Sequence, residues 1–256
     1  MIRPIIILLS LAALACSDSP EIDLSHPVKC DACNFTLSEY YKLKSRDTLP
    51  SQAIGSVGNG KLKHGKILPP KGENFFYFDS TSYMADRAFT HQITKNILLN
   101  TFDSLNSLHP EKTFVVMEAS NKKGGKMHPH RTHQNGLSID LMYPKLRNGK
   151  NYEFLDTLGV QHYLLDFDKN GLLSTDKNVS IDFELTAKHI YLLSQEAKKQ
   201  NARIEKVIMY TEFKDELFAT TYGKKLKSEG IYFAQKLSKT INKLHDDHFH
   251  IDFSLN

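Results

Sequence analysis

The chain has 256 residues, 40% of them hydrophobic and 24% charged. That composition excludes collagen-like, low-complexity and wholly disordered chains, and the length allows one or two domains with a sizeable core. Thirty-three Lys and Arg against 29 Asp and Glu give a net charge of +4, too mild for the electrostatic footprint of a nucleic-acid binder.

Met1-Ile2-Arg3 carries one positive charge, and Ile5 to Ala15 is apolar apart from Ser10. A permanent membrane span needs about 20 apolar residues, so residues 1–15 read as a secretory signal. The small residues of Ala13-Leu14-Ala15 before Cys16 resemble a bacterial lipobox, although Ala13 stands where that motif prefers Leu. The resemblance implies a lipid on Cys16 and an exported, envelope-anchored protein, on a periplasm-facing outer membrane. A plain signal peptide cut nearby is the alternative. Export implies an oxidising compartment. Cys30-x-x-Cys33 is compatible with redox activity, with half a zinc site or with a local disulfide. No second pair completes a four-cysteine site and no strand–helix pattern surrounds the pair, so a structural disulfide is the plainest reading.

Residues 16–50 are polar and irregular, and predict a tether or N-terminal extension. Residues 51–72 are rich in Gly, Pro and Lys, and predict coil with turns. Phe75 to Phe78 predicts a short strand. Tyr83 to Leu108 has helical apolar spacing through Ala88, Ile93, Ile97, Leu98, Phe102 and Leu105. Thr113 to Met117 reads as a buried strand, Ala187 to Ala197 as an amphipathic helix and Ile204 to Tyr210 as a strand. Phe213 to Phe218 and Ile231 to Leu244 read as helices. This irregular alternation predicts an α+β domain over residues 51–256, with a small antiparallel sheet flanked by helices.

Six of the 12 histidines fall in two short windows: His128, His130 and His133, then His245, His248 and His250. From His248 onward the second window alternates. Phe249, Ile251, Phe253 and Leu255 share one face, and His248, His250 and Asp252 the other, as a half-buried strand requires. Its two imidazoles stand roughly 6.5–7 Å apart along the strand, so one can bind a metal while the other faces a ligand on it. In the first window Asp140 follows His133 by seven positions, or ~10.5 Å of helical rise, too far for one ion. The two converge only if the chain turns between them. Asn135-Gly136 is a strong turn signal, and Leu137, Ile139 and Leu141 then alternate with Ser138 and Asp140. Three protein ligands with one open position is the catalytic zinc pattern.

His133-x6-Asp140 with His248-x-His250 resembles the LAS zinc peptidases of the hedgehog/DD-peptidase fold. More closely, the chain resembles the penicillin-insensitive murein endopeptidases. Its other matching pieces are Ala53-Ile54-Gly55 with Gly60, Gly65 and Leu68-Pro69, then Gly124-Gly125, His130, Gln134, Gly136-Leu137 and His245-Asp246. The resemblance spans about residues 51–256. It implies His133, Asp140 and His250 as Zn2+ ligands and His248 as the non-ligand histidine at the scissile bond, with His130 and His245 lining the site. Glu118 falls where the family has an acidic residue, and Glu118 and His245 are both open as general base. The implied reaction is hydrolysis of the D-alanyl–meso-diaminopimelyl cross-link of peptidoglycan, insensitive to penicillin because no serine nucleophile takes part. Ser138 departs from the family pattern Gly-Leu-Asp-x-Asp, which bears on substrate positioning more than on the metal.

Two further readings stay open. One is a zinc carboxypeptidase or dipeptidase acting on D-Ala or L-Ala–D-Glu bonds. The other is a non-catalytic peptidoglycan-binding lipoprotein, which has no need of spare imidazoles around a metal. Asp246 and Asp252 are candidates to orient the ligating imidazoles. His91 is a further candidate by family likeness. Asp166 to Gly171 opens like a calcium loop, but Lys177 stands where a bidentate Glu is expected, so it reads as a polar turn. Oligomeric state is not legible.

Overall fold

The computed structural model describes residues 36–256. The expected signal segment (residues 1–15), Cys16, Cys30 and Cys33 lie outside the described residues. The first half contains α1 (Leu37–Lys44), β1 (Gln52–Ser56), β2 (Asn59–Lys63), β3 (Lys66–Ile67), β4 (Phe75–Tyr77), α2 (Ser80–Met84), β5 (Phe89–Thr90), α3 (Gln92–Leu108) and β6 (Phe114–Val116). The second half contains β7 (Ser138–Met142), β8 (Lys145–Arg147), β9 (Lys150–Asn151), β10 (Leu172–Leu173), β11 (Asp176–Ile181), α4 (Phe183–Lys199), β12 (Ala202–Ile208), α5 (Lys214–Ala219), α6 (Thr221–Ser228), α7 (Lys239–Lys243) and β13 (His248–Leu255). No helix among the described residues is long and apolar enough to cross a membrane.

The main sheet has the order β12-β13-β7-β6-β4. Its neighbours are antiparallel except β4 and β6, which run parallel at one edge. The α+β expectation holds, with that edge as its one departure from a purely antiparallel sheet. A second sheet of order β10-β11-β8-β9, the β1–β2 hairpin and the antiparallel pair β3–β5 complete the strands.

The alternation of β13 decides where the core lies. Phe249, Ile251 and Phe253 face α4, whose His189 ring lies 5.7 Å from that of Phe249. Ile190, Leu193 and Ala197 of α4 and Ile97, Leu98, Phe102 and Leu105 of α3 extend the same apolar cluster. The opposite face of β13 is not solvated: His248, His250 and Asp252 are buried as well. Two buried faces on a strand with this many polar side chains require an internal partner for each polar group. For His248 that partner is Asp247. For His250 and Asp252 the partners come from β7, where Asp140 stands opposite His250 and Ser138 opposite Asp252. A one-residue slip of this register would turn all four away from each other.

Four expectations fail locally. The helix predicted over Tyr83 to Leu108 is helical only at the end of α2 and from Gln92 on, because Asp86 is left-handed at φ 61° and Phe89–Thr90 pairs as β5 with β3. The predicted tether becomes α1 at Thr36, whose side chain and that of Glu39 form a reciprocal cap. Tyr40 Oη donates to Asp86, and Lys44 pairs with the same carboxylate, so this part of the extension docks on the domain. The predicted coil over 51–72 contains the β1–β2 hairpin, paired from Gln52 with Lys63 to Ser56 with Asn59. The predicted helix over 231–244 is helical only as α7. Upstream, Val207 on β12 bonds the Tyr232 carbonyl and the Ala234 amide at 2.9 Å each, so that backbone is extended. The helix α6, between two predicted elements, was not expected.

Candidate active site

His133 lies just before the turn into β7, and its backbone is left-handed at φ 66°. A non-glycine residue there is strained unless its surroundings hold it. Its amide donates to Ser138 Oγ at 3.3 Å, and its ring Nδ1–H donates to the Ala119 carbonyl. That second bond leaves Nε2 as the free lone pair, aimed at Asp140 Oδ2 at 3.2 Å. The turn that follows requires Gly136: its φ is +82°, and a Cβ there would meet the His91 amide nitrogen at 2.6 Å.

His250 arrives from β13 with the opposite choice of ring nitrogen. Its Nε2–H donates to Asp252 Oδ1 at 2.7 Å, and Ser138 Oγ donates to the same oxygen at 2.6 Å. The other oxygen of Asp252 pairs with Lys206 at 2.9 Å. Nδ1 of His250 therefore faces inward, 2.7 Å from Asp140 Oδ1 and 3.1 Å from His133 Nε2. His130 closes the ring, with Nδ1 3.4 Å from Asp140 Oδ2.

Asp140 is the centre of this group. It is 1% exposed, and its Oδ2 has no hydrogen-bond partner. Burial opposes its ionisation, yet the imidazoles of His133 and His250 hold its carboxyl well below the usual range. A buried carboxylate oxygen without a hydrogen-bond partner, ringed by imidazole nitrogens, is the donor set a cation would satisfy. The spacing suits one. Tetrahedral bonds of about 2.0–2.1 Å place ligand atoms about 3.3 Å apart, close to the 3.1 and 3.2 Å from His133 Nε2 to its two neighbours. His130, His133 and Asp140 offer ligand atoms within 4.8 Å of one another, and His250 touches two of them. The residues present fit a metal ion.

Two further histidines border the group. His248 Nδ1 donates to Asp247 Oδ1 at 2.6 Å, which leaves Nε2 toward the cleft. Burial disfavours its charge, but Asp247 outweighs burial and raises its pKa. His245 Nδ1 donates to the Ile241 carbonyl at 2.6 Å, and burial pushes its pKa down to about 3. Glu118 is fully engaged: it pairs with Arg87, receives His130 Nε2 at 2.9 Å and accepts from Ser82 Oγ at 2.9 Å. Burial favours its neutral form, but His130 and Arg87 outweigh that and lower its pKa. Above these groups opens a cleft of about 730 Å³, with His130, His245, His248 and His250 on its floor. Ile208, Leu237, Ile241 and Leu244 supply apolar walls, and Arg131 and Lys236 supply cations.

The family model for penicillin-insensitive murein endopeptidase matches residues 53–255. The chain belongs to this family. It is accordingly a hydrolase of the murein endopeptidase type, acting on peptidoglycan. A search of curated proteins finds no match.

The family assignment covers every histidine that meets at Asp140. Other expected residues stand apart from it. His91 caps α3, accepting from the Ile93 amide and contacting the Ser51 carbonyl through its other nitrogen. Asp246 faces Lys243 and the Phe167 amide, so of the two acids proposed to orient imidazoles only Asp252 does so. Ser138, at the family's acidic position, is buried under Asp252 and does not line the cleft. In the calcium-like loop, Asp168 caps its own turn and pairs with Lys177 at 2.8 Å. Asp247, Arg87 and Tyr163 were not expected. Asp247 sits one residue before the alternating strand, where the period-two pattern gives no orientation. Arg87 and Tyr163 reach the cleft from distant segments without a local signal.

Proposed function

We propose that the chain is a zinc-dependent endopeptidase that hydrolyses the D-alanyl–meso-diaminopimelyl cross-link of peptidoglycan. We propose in addition that it is exported and held to the envelope, facing the periplasm, by a lipid on Cys16. The observation that carries the catalytic reading is the unpartnered, buried Oδ2 of Asp140 among imidazole nitrogens. His133 Nε2, Asp140 and His250 Nδ1 would hold the zinc, with the ring tautomers set by the Ala119 carbonyl and by Asp252. When bound there, zinc supplies Lewis acidity and lowers the pKa of water toward neutrality.

The remaining groups divide the proton and charge work. His248, oriented by Asp247, presents Nε2–H to the cleft in its protonated form and in that form stabilises charge developing on the scissile carbonyl. His245 is the free acceptor, because its Nδ1–H is held by the Ile241 carbonyl. Glu118 has no oxygen to spare and acts by holding His130 against Asp140. With burial holding its pKa at about 3, His245 binds a proton weakly at neutral pH, so the geometry alone does not rank it against Glu118 as the proton acceptor.

The test is digestion of purified cross-linked muropeptides, with products read by mass, with and without chelator. The proposal expects separation of cross-linked dimers into monomers, abolished by chelation and restored by zinc. Release of single D-Ala, or cleavage between L-Ala and D-Glu, would replace the proposed bond. Full cleavage by chelated protein, or none with zinc bound, would overturn the reading. His133→Ala and His250→Ala should lose zinc and activity together. His248→Ala should keep zinc and lose about 10²–10⁴-fold in rate.

A further inference from the structure

His162 is a fully buried titratable group behind the cleft that the reaction does not use. It belongs to the 3-10 turn Gly159–Leu164 and is 0% exposed. Its Nδ1 lies 3.2 Å from Asp247 Oδ2, while Asp247 Oδ1 receives His248 Nδ1–H at 2.6 Å. Asp247 is itself 2% exposed, so its two oxygens are divided between the two imidazoles. A carboxylate accepts and does not donate, so His162 carries its proton on Nδ1. Its Nε2 is then a buried lone pair with no partner. The next residue, Tyr163, turns the other way and lines the cleft, its ring edge-on to His248 at 6.1 Å.

This arrangement is costly as packing. Burial pushes the pKa of His162 down to about 4, and an apolar side chain would spare the unpartnered nitrogen. What His162 provides is a second, directed donor on Asp247. With only one donor, a buried carboxylate can rotate and carry the His248 ring with it. With one on each oxygen, the carboxylate plane is fixed.

We infer that His162 is a positioning residue for the murein hydrolase reaction, forming with Asp247 a buried His248–Asp247–His162 chain that fixes the ring of His248 toward the cleft. The inference rests on the reading of His248 as the non-ligand histidine at the scissile bond. Tyr163 ties the same turn to the cleft wall, so the segment that locks His248 from behind also flanks it in front.

The experiment uses the full-length protein with zinc loaded, and it first confirms muropeptide cleavage and zinc content in the parent. Absence of cleavage there would refute the functional reading, independently of His162. His162→Leu should lower kcat about tenfold, leave KM within about twofold and leave zinc content unchanged. His162→Asn presents an N–H near the position of Nδ1–H and should recover most of kcat. A parental kcat in the leucine variant would overturn the proposal. So would an asparagine variant as slow as the leucine one, because lost packing would then explain both. Should the leucine variant fail to fold, long-range ¹H–¹⁵N spectra of the parent decide. The proposal requires the Nδ1–H tautomer at His162 and a downfield His248 Nδ1 proton that shifts in the asparagine variant. An Nε2–H tautomer at His162 would refute it.

Discussion

Ser138 stands where the family pattern has an acid, and replacing it with Asp tests how the metal group is braced. Ser138 faces Asp252 across the β7–β13 pair, with Oγ 2.6 Å from Oδ1. Both side chains are fully buried. Ser138→Asp therefore sets a second carboxylate against the one that orients His250. Two like charges about 4 Å apart repel by about 4 kcal/mol at an effective dielectric near 20. Lys206, 2.9 Å from Asp252 Oδ2, offsets part of this. A net loss of about 2–3 kcal/mol remains, with zinc affinity reduced about 10- to 100-fold as the His250 tautomer is disturbed. Adding Asp252→Asn should recover most of both losses. The amide oxygen still accepts from His250 Nε2–H, and one of the two like charges is gone, with Lys206 left to pair with the new carboxylate. Urea unfolding and zinc titration of the two single variants and the double variant measure the coupling directly. KM for muropeptide should be unchanged in whatever active fraction survives, because Ser138 does not line the cleft. A single variant as stable as the parent, or additive effects in the double variant, would refute the brace.

Other expectations follow from buried polar groups. His189 lies among Phe102, Phe114 and Phe249 with both ring nitrogens unpartnered, and burial pushes its pKa down to about 3. Its folded pKa lies below the unfolded value near 6.5, so its neutral form favours folding above pH 6.5 and that stability is lost as pH falls from there toward about 3. At pH 4.5 the loss reaches at most about 2.7 kcal/mol. His189→Phe should flatten this acid limb in urea titrations and raise stability at pH 7 by about 1–3 kcal/mol; an unchanged limb would clear His189 of the effect. Asp156 lies between Lys145 at 2.7 Å and Lys112 at 3.6 Å, all three buried. Asp156→Ala leaves both cations under-compensated and should cost about 3–5 kcal/mol, whereas pairing it with Lys145→Met should recover part of that in the same denaturation assay.

The parts of the fold that position the chemistry were legible because they follow strict local rules. The alternation from His248 to Leu255 is a strand in the structure, and Asn135-Gly136 turns the chain so that Asp140 returns to His133. Where short-range pattern was overridden by pairing, the reading failed. Ile231 to Ala234 looks helical by apolar content but is claimed by the backbone of β12. The hairpin of β1 and β2 is masked by its Gly and Lys content, since its strands are mostly exposed. The start of α1 did carry a signal, Thr36-x-x-Glu39, which is a capping-box pattern. The support around the site was the least legible part. Glu118 finds Arg87 across 31 positions and Asp247 finds His162 across 85, and no local periodicity encodes such meetings.

Anomalous diffraction at the zinc edge from crystals of the zinc-loaded protein tests the account most directly. The account predicts one peak about 2.0–2.1 Å from His133 Nε2 and His250 Nδ1, in contact with an Asp140 oxygen. No peak among these side chains, or a peak held by His130 and Glu118 with His250 left out, would contradict it.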